Sequence, residues 1–426
     1  MIITKHEDMQ YRLRVRHELS LYYWGDGCII EFREWPIYYL SATETLIVSI
    51  CNGIYTVNDV IITIEQKTKM RKEKIVEIIN DLLCNRILLL RKDIKEYKPT
   101  IWGEFGMYYP KDITFELTNK CNYKCPFCYK NAQQEGIFLH ESIINEYMQV
   151  LNGKLQSILL TGGEPLLHPN FESILCKLAS LAEVRMVSNG SLFWKLSPYI
   201  VEKLDSLQLS LYGTSDEEYA RMTGNKRGLK YIKDSLKLAK ECNVPTRLSV
   251  VLNEKTIDDM EKYVNVAIEL GAERINLDTA YLFGRELRIF SGNKDYKKKV
   301  EEFYFKELDC IKKYHADIQI SMRTVNVFSW KGRYKLEGYE GLNCGGGSRK
   351  LVVSQNGKIR ACECFPEDLF DYGGIEVLNK MIYGDFQISK LCNGMKEFYK
   401  INGSRIQDTE ICTAITDFCH RKKLMI

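Results

Sequence analysis

Cys121-Asn122-Tyr123-Lys124-Cys125-Pro126-Phe127-Cys128 follows directly on an apolar run, Ile113 to Leu117. Three thiols on one short loop suit an iron–sulfur cluster. A cubane cluster has four irons, so three protein ligands leave one iron open to a small molecule. A zinc site would want a fourth cysteine or histidine close by. The nearest histidine after the loop, His140, lies 12 residues past Cys128.

The run that leads into this loop is the first of six. The others are Ser157 to Leu160, Val184 to Val187, Leu207 to Leu211, Leu248 to Leu252 and Ile275 to Leu277. Helical stretches stand between them: Glu141 to Leu151, Asn170 to Ala179, Leu229 to Glu241 and Ile257 to Glu269. Alternation of strand and helix predicts an α/β fold with a parallel sheet, curled as a partial or complete barrel. Such a barrel collects its functional residues at the C-terminal ends of its strands, and the cysteine loop lies at the end of the first.

Composition limits the alternatives. The net charge is only +4, from 60 basic and 56 acidic side chains, which argues against a dedicated nucleic-acid binder. The opening MIITKHEDMQ has no apolar core or cleavage site, and no run of 18 apolar residues occurs. A cytoplasmic protein with no membrane partner is expected. In that setting the 15 cysteines read as thiols and metal ligands, not disulfides. Cys28, Cys51, Cys84, Cys176, Cys242 and Cys310 are isolated and read as small buried hydrophobes. The other nine fall at 121–128 and 344–419.

Three blocks follow: 1–100, 101–300 and 301–426. In the first, strands at Glu18 to Trp24 and Cys28 to Arg33 flank Gly25-Asp26-Gly27, a hairpin signal. A short strand at Pro36 to Leu40 comes next. Ser41 and Glu44 then form a capping box for a helix that stops at Asn52-Gly53. Helices are predicted over Thr56 to Glu65 and Lys72 to Leu90, the latter from the spacing of Ile75, Ile78, Ile79, Leu82 and Leu83. The third block opens on a charged helix near Tyr296 to Lys313, then becomes irregular and rich in Gly and Cys.

The CxxxCxxC loop resembles the signature of the radical S-adenosylmethionine (SAM) superfamily. Phe127 and Tyr129 extend the match, and further motifs follow over about 110–290. Gly162-Gly163-Glu164-Pro165 ends the second strand as the family's GGEP segment does, which implies a site for the methionine amino group of SAM. Ser188-Asn189-Gly190 resembles the family's segment after the third strand. Ser210 stands on the fourth, although Tyr212 occupies a position that is often acidic in the family. Arg221 resembles the arginine that pairs with the cofactor carboxylate, for which a guanidinium is the two-pronged partner; an ordinary surface arginine is the alternative. Asn253 resembles an adenosine contact. The resemblance implies a 4Fe–4S cluster on Cys121, Cys125 and Cys128, and reductive cleavage of SAM to a 5′-deoxyadenosyl radical that takes hydrogen from substrate. It also implies an electron donor such as a flavodoxin or ferredoxin.

The outer blocks resemble modules that accompany such barrels. Residues 1–100 resemble a RiPP recognition element, a winged-helix-like domain that binds leader peptides, by Tyr38-Tyr39-Leu40-Ser41-Ala42, Cys51-Asn52-Gly53, Thr56-Val57 and Leu82 to Leu90. A DNA-binding winged helix gives a similar string. The leader would add as a strand to the edge near Pro36 to Leu40. Residues 301–426 resemble a SPASM/twitch auxiliary-cluster domain, in which Gln355-Asn356-Gly357 turns a hairpin that brings Cys362 toward Cys344. Cys344, Cys362, Cys412 and Cys419 are the expected ligands of one auxiliary Fe–S cluster; Cys364 and Cys392 could substitute or complete a second. Together the three modules resemble maturases of ribosomally made peptides. Thioether formation on a precursor peptide is the expected reaction. The alternatives are carbon–carbon cross-linking, epimerisation, protein oxidation of the sulfatase-maturase type, or a binding protein without turnover.

Overall fold

The capping box at Ser41 starts the first helix as its sequence requires. The Ser41 side chain accepts from the Glu44 N–H, and the Glu44 carboxylate accepts from the Ser41 N–H at 2.8 Å. The computed structural model describes residues 3, 6–17, 19–31, 38–97, 99–252, 256–279, 306–322, 346–347, 349–363 and 371–384. The chain divides into two compact units, the first containing Met1–Lys111 and the second beginning at Asp112.

The first unit runs β1 (Arg12–Val15), β2 (Ser20–Trp24), β3 (Gly27–Glu31), β4 (Tyr38–Leu40), α1 (Ala42–Ile50), β5 (Asn52–Thr56), α2 (Val57–Thr68), α3 (Lys72–Cys84), β6 (Leu88–Arg91) and β7 (Ile101–Trp102). Two sheets result, ordered β4-β3-β2-β7 and β5-β1-β6. The predicted hairpin pairs Leu21 with Ile30 and Tyr23 with Cys28. A second capping box, Thr56 with Asp59, starts α2. The third helix is shorter than its periodicity suggested: it ends at Cys84, and Leu88–Arg91 is instead a strand paired antiparallel with β1. The run Leu88-Leu89-Leu90 fits a helix or a strand equally by hydrophobicity, and the partner strand β1 decides for the sheet. Ile47, Ile61, Ile64, Ile75, Ile79 and Leu88 form the shared core. β4 is the edge of its sheet, and α1 packs beside β3 and β4.

The second unit alternates as its sequence predicts: β8 (Asp112–Glu116), α4 (Glu141–Leu151), β9 (Ser157–Thr161), α5 (Phe171–Leu178), β10 (Glu183–Ser188), α6 (Pro198–Val201), β11 (Ser206–Ser210), α7 (Asp216–Thr223), α8 (Gly228–Glu241), β12 (Thr246–Leu252), α9 (Met260–Glu269) and β13 (Arg274–Thr279). The six strands lie side by side in chain order, all parallel. One face is a continuous apolar layer. Phe115, Ile158, Leu160, Val184, Leu209, Leu248, Ile275 and Leu277 are each 0% exposed, so helices must cover it completely. The other face is polar: Asp112, Glu116, Ser157, Ser249, Asn276 and Asp278 alternate with the apolar set. A parallel sheet apolar on both faces would show no such alternation.

Three strands of the C-terminal block join this sheet. β14 (Gln319–Met322) runs parallel to β13, and β15 (Lys350–Val353) runs parallel to β8 on the opposite side. β16 (Ile359–Arg360) returns antiparallel to β15. The predicted turn is present: Gly357 has φ +82° and donates its N–H to the Ser354 carbonyl at 2.8 Å. Asn253, Cys344, Cys364, Cys392, Cys412 and Cys419 lie outside the described residues. Of the isolated cysteines, Cys28, Cys51, Cys242 and Cys310 are buried as expected, whereas Cys84 is exposed and Cys176 half-buried. Cys84 sits in the last turn of α3 on its solvent side, a position the helical periodicity does not reserve for apolar residues.

Candidate active site

The cysteine loop begins where β8 ends and is closed by backbone hydrogen bonds. The Cys121 N–H donates to the Gln133 carbonyl at 2.6 Å, and the Gln133 N–H returns to Asn119 at 3.1 Å. The Lys124 N–H reaches the Thr223 carbonyl at 3.2 Å, which anchors the middle of the loop to the end of α7. Cys121 and Cys125 are buried and Cys128 is half-buried. Donors already face the Cys121 sulfur: the Tyr123 N–H at 3.4 Å and Asn189 Nδ2 at 3.8 Å. Burial pushes the Cys121 thiol up to about 12. The free thiol is therefore protonated at neutral pH, while iron takes the thiolate. N–H donors aimed at the Cys121 sulfur suit a thiolate bound to iron, although among the described residues no three Cys, His, Asp or Glu side chains are gathered closely enough to hold a metal ion. Cluster loading should release protons and rise between neutral and mildly alkaline pH, as iron incorporation measured across that range would show.

The segment after β9 packs directly on this loop. Gly163 donates its N–H to the Thr118 carbonyl at 2.7 Å, and Glu164 donates to Lys120 at 2.9 Å. A Cβ on Gly163 would overlap the Lys120 carbonyl, and one on Gly162 would crowd the Thr118 carbonyl. Both glycines thus permit close approach to protein backbone, where the motif alone suggested approach to ligand. Gly163→Ala should destabilise the protein by about 1–3 kcal/mol, the scale of overpacking. It should also lower iron content, measured on the purified protein, because the displaced backbone leads straight into Cys121.

Glu164 is wholly buried and joins two strand ends. Its carboxylate accepts from Ser188 Oγ at 2.9 Å, from the Asn189 N–H at 2.8 Å and from the Leu166 N–H at 3.2 Å. Burial raises its pKa to about 7, the three donors pulling the other way. Asn189 Nδ2 in turn donates to Asn122 Oδ1 at 2.9 Å, and Asn122 donates to Ser191 Oγ at 2.8 Å. Cys121, Glu164, Ser188 and Asn189 are therefore one connected group.

Aromatic rings line the other side of the loop. Tyr212 packs against Tyr123 at 6.0 Å, Phe127 at 5.8 Å and Tyr219 at 5.9 Å between ring centroids. The tyrosine at the expected acidic position thus takes part as a ring. Ser210 ends β11 beneath it, and its carbonyl accepts from Tyr219 Oη at 3.1 Å. Arg221 stands apart from the buried group: it lies on α7, its side chain 74% exposed, 3.9 Å from Glu218.

Residues 115–267 match the Radical SAM superfamily. This segment is a radical SAM domain. The chain is accordingly an enzyme of that type, with a 4Fe–4S cluster and SAM as its cofactors. It is 24% identical over 319 residues to the antilisterial bacteriocin subtilosin biosynthesis protein AlbA of Bacillus subtilis, covering 73% of this chain and 67% of that one. It is 25% identical over 307 residues to a probable GTP 3′,8-cyclase of Sulfurisphaera tokodaii, covering 68% and 91%. Its fold is that of Streptococcus suis SuiB, solved bound to precursor peptide SuiA. The TM-score is 0.60 at 14% identity, over 90% of this chain and 94% of that one.

The radical SAM domain also holds a buried ionic group that its motifs do not announce. Glu116, the last residue of β8, is 3% exposed. It pairs with Lys130 at 2.8 Å and with Arg360 of β16. Burial pushes the Glu116 carboxyl up, and the Lys130 and Arg360 charges outweigh it, leaving it below its ordinary range. Beside this group Tyr129 Oη donates to Glu363 Oε2 at 3.2 Å. Tyr129 and Lys130 immediately follow Cys128, and Arg360 and Glu363 bracket the half-buried Cys362. The one available sequence signal was a charged residue inside the apolar run Ile113 to Leu117, since a buried charge needs a partner.

Proposed function

We propose that this radical SAM enzyme matures a ribosomally made precursor peptide, and that the reaction is formation of thioether cross-links. The observation that carries the peptide reading is the N-terminal unit, a module of three helices and two sheets, one of which ends on the short edge strand β4. An open strand edge accepts an extended peptide by backbone hydrogen bonding. Similarity to a bacteriocin biosynthesis protein and to a peptide-bound SuiB supports the same reading.

In this reading Cys121, Cys125 and Cys128 hold the cluster. Gly162, Gly163, Glu164, Pro165, Ser188, Asn189 and Ser210, with Phe127 of the loop, would line the SAM site; Arg221 would have to turn toward it from its exposed position, and Asn253 lies outside the described residues. Bound there, the cluster and SAM supply a 5′-deoxyadenosyl radical that removes hydrogen from carbon. The chain's own residues would position the pair: Glu164 fixes the ends of β9 and β10, and Tyr212 packs its ring against Tyr123 and Phe127 of the loop. Joining a peptide thiol to carbon removes two hydrogens, a two-electron oxidation. Cys362, with Cys344, Cys412 and Cys419, would hold an auxiliary cluster as acceptor of the second electron.

The test is mass spectrometry of a neighbouring small peptide after anaerobic incubation with reconstituted enzyme, SAM and reductant. Loss of two hydrogens per link, with thiols no longer alkylated, is expected. The same loss with free thiols would mean a carbon–carbon link. No mass change, with one deuterium taken from deuterated water, would mean epimerisation. Deleting residues 1–100 should abolish modification; survival with unchanged affinity would remove the leader-binding role.

A further inference from the structure

A radical SAM domain turns over only when one electron reaches its cluster, so the surface over the cysteine loop is a place where a donor must approach. Here that surface is basic. Lys124 lies within the loop itself and is exposed. Its N–H is bonded to Thr223, and Tyr123 Oη accepts from Asn225 at 3.4 Å, so the segment after α7 lies against the loop. That segment carries Lys226 and Arg227, both exposed, and Asn225 Oδ1 fixes it by accepting the Arg227 N–H at 2.8 Å. On the other flank, Asn122 is bonded to Ser191, whose carbonyl accepts from Trp194 Nε1 at 3.1 Å. Trp194 is 37% exposed and stacks on Tyr231, with centroids 5.7 Å apart and planes 11° from parallel. Lys195 lies over the Trp194 ring. Four cations and a stacked aromatic pair therefore lie on the loop and on the two segments bonded to it.

Among the described residues, the acidic neighbours do not cancel this charge. Asp234 is paired with Lys230 at 2.6 Å. Glu218 is occupied by Thr214, Tyr263 and Arg221. Asp216 and Glu217 belong to the first turn of α7, at the end remote from Thr223. In a chain whose charges nearly balance, at 60 basic to 56 acidic, such a local excess makes a field that attracts an acidic partner.

We propose that this face, made by Lys124, Lys195, Lys226, Arg227 and the Trp194–Tyr231 stack, is the docking surface for a flavodoxin-type electron carrier. A carrier of that class presents the edge of a planar flavin within an acidic rim. The basic ring meets the rim, and the exposed indole meets the flavin edge. One electron leaves the reduced flavin and enters the cluster at the cysteine loop; no bond forms or breaks. A small, weak, electrostatically steered contact suits a transient electron-transfer encounter. The inference rests on the radical SAM domain and is independent of which substrate the enzyme modifies.

The test compares the full-length reconstituted enzyme with a Lys195→Glu, Lys226→Glu, Arg227→Glu variant. Two of these positions are at the start of α8, where acidic residues suit the helix dipole, so the variant should fold. Formation of 5′-deoxyadenosine is followed with reduced flavodoxin and, separately, with dithionite. With flavodoxin at low salt, kcat/KM should fall by about ten-fold or more, the scale of electrostatic steering, through a rise in KM. The salt dependence seen in the native enzyme should flatten. With dithionite the rate should be unchanged. Equal flavodoxin-driven rates in the two proteins would overturn the proposal. So would an equal loss with dithionite, which would place these residues in the active site. Turnover of the native enzyme with reduced ferredoxin but not with flavodoxin would overturn the choice of partner.

Discussion

Cys128→Ala should form no 5′-deoxyadenosine above the level of an enzyme-free control, while the protein remains folded. The physical reason is the ligand count. Three thiolates hold three irons of a cubane and leave the fourth for SAM; with two thiolates the cluster is neither held nor correctly opened. Cys128 is the half-buried member of the set, so truncating it removes little packing. Its N–H bond to the Cys125 carbonyl, 3.3 Å, involves only backbone and survives the change. Iron and sulfide analysis should show loss of a full cluster, and thermal unfolding of the iron-free proteins should nearly coincide. Retention of SAM cleavage in this variant would contradict the assignment of the loop.

Glu116→Ala should produce the largest loss of stability of any single change considered, about 3–5 kcal/mol. Removing the carboxylate leaves Lys130 and Arg360 facing each other in a site where their side chains are 12% and 5% exposed. Their mutual repulsion and lost solvation are then uncompensated. That is a large part of the whole stability of a typical domain. Urea unfolding should show a lower midpoint with the slope unchanged. The pH dependence follows from the sign of the shift. A carboxyl held below its ordinary value contributes stability that is present above the unfolded pKa, about 4.3 for Glu. That contribution is lost as pH falls through the lower folded value. The native enzyme should therefore lose stability on acidification through this range, and Glu116→Gln should lack that component. Because Lys130 follows Cys128 by two residues, both variants should also hold iron less firmly. A Glu116 variant with native stability and native iron content would show that the ionic group has no such role.

The parts of this structure that were legible in the sequence are local. The six parallel strands and the longer helices between them show in short periodic patterns, and the Ser41–Glu44 capping box lies within four residues. The cysteine loop and the glycine pair after β9 were legible for the same reason: spacing along the chain sets their geometry. Strands β1, β5, β6 and β14 were not legible. Each is four or five residues long, and such short runs become strands only through the partner they meet.

What only the tertiary structure decided is long-range. β15 lies beside β8, pairing Leu351 with Ile113 and Val353 with Phe115, and this pairing brings Arg360 onto Glu116 across 244 residues of chain. The same holds for Glu164, whose partners Ser188 and Asn189 come from the next strand, and for Tyr212 packing on Phe127 and Tyr123. The sequence alone determined the domain type, because the spacing of the motifs that mark it is a local property. The folded chain alone determined which charges share a buried site and which cations lie on the loop and on the segments bonded to it. Those depend on strand order and register, and no residue carries a mark of the distant partner it will meet.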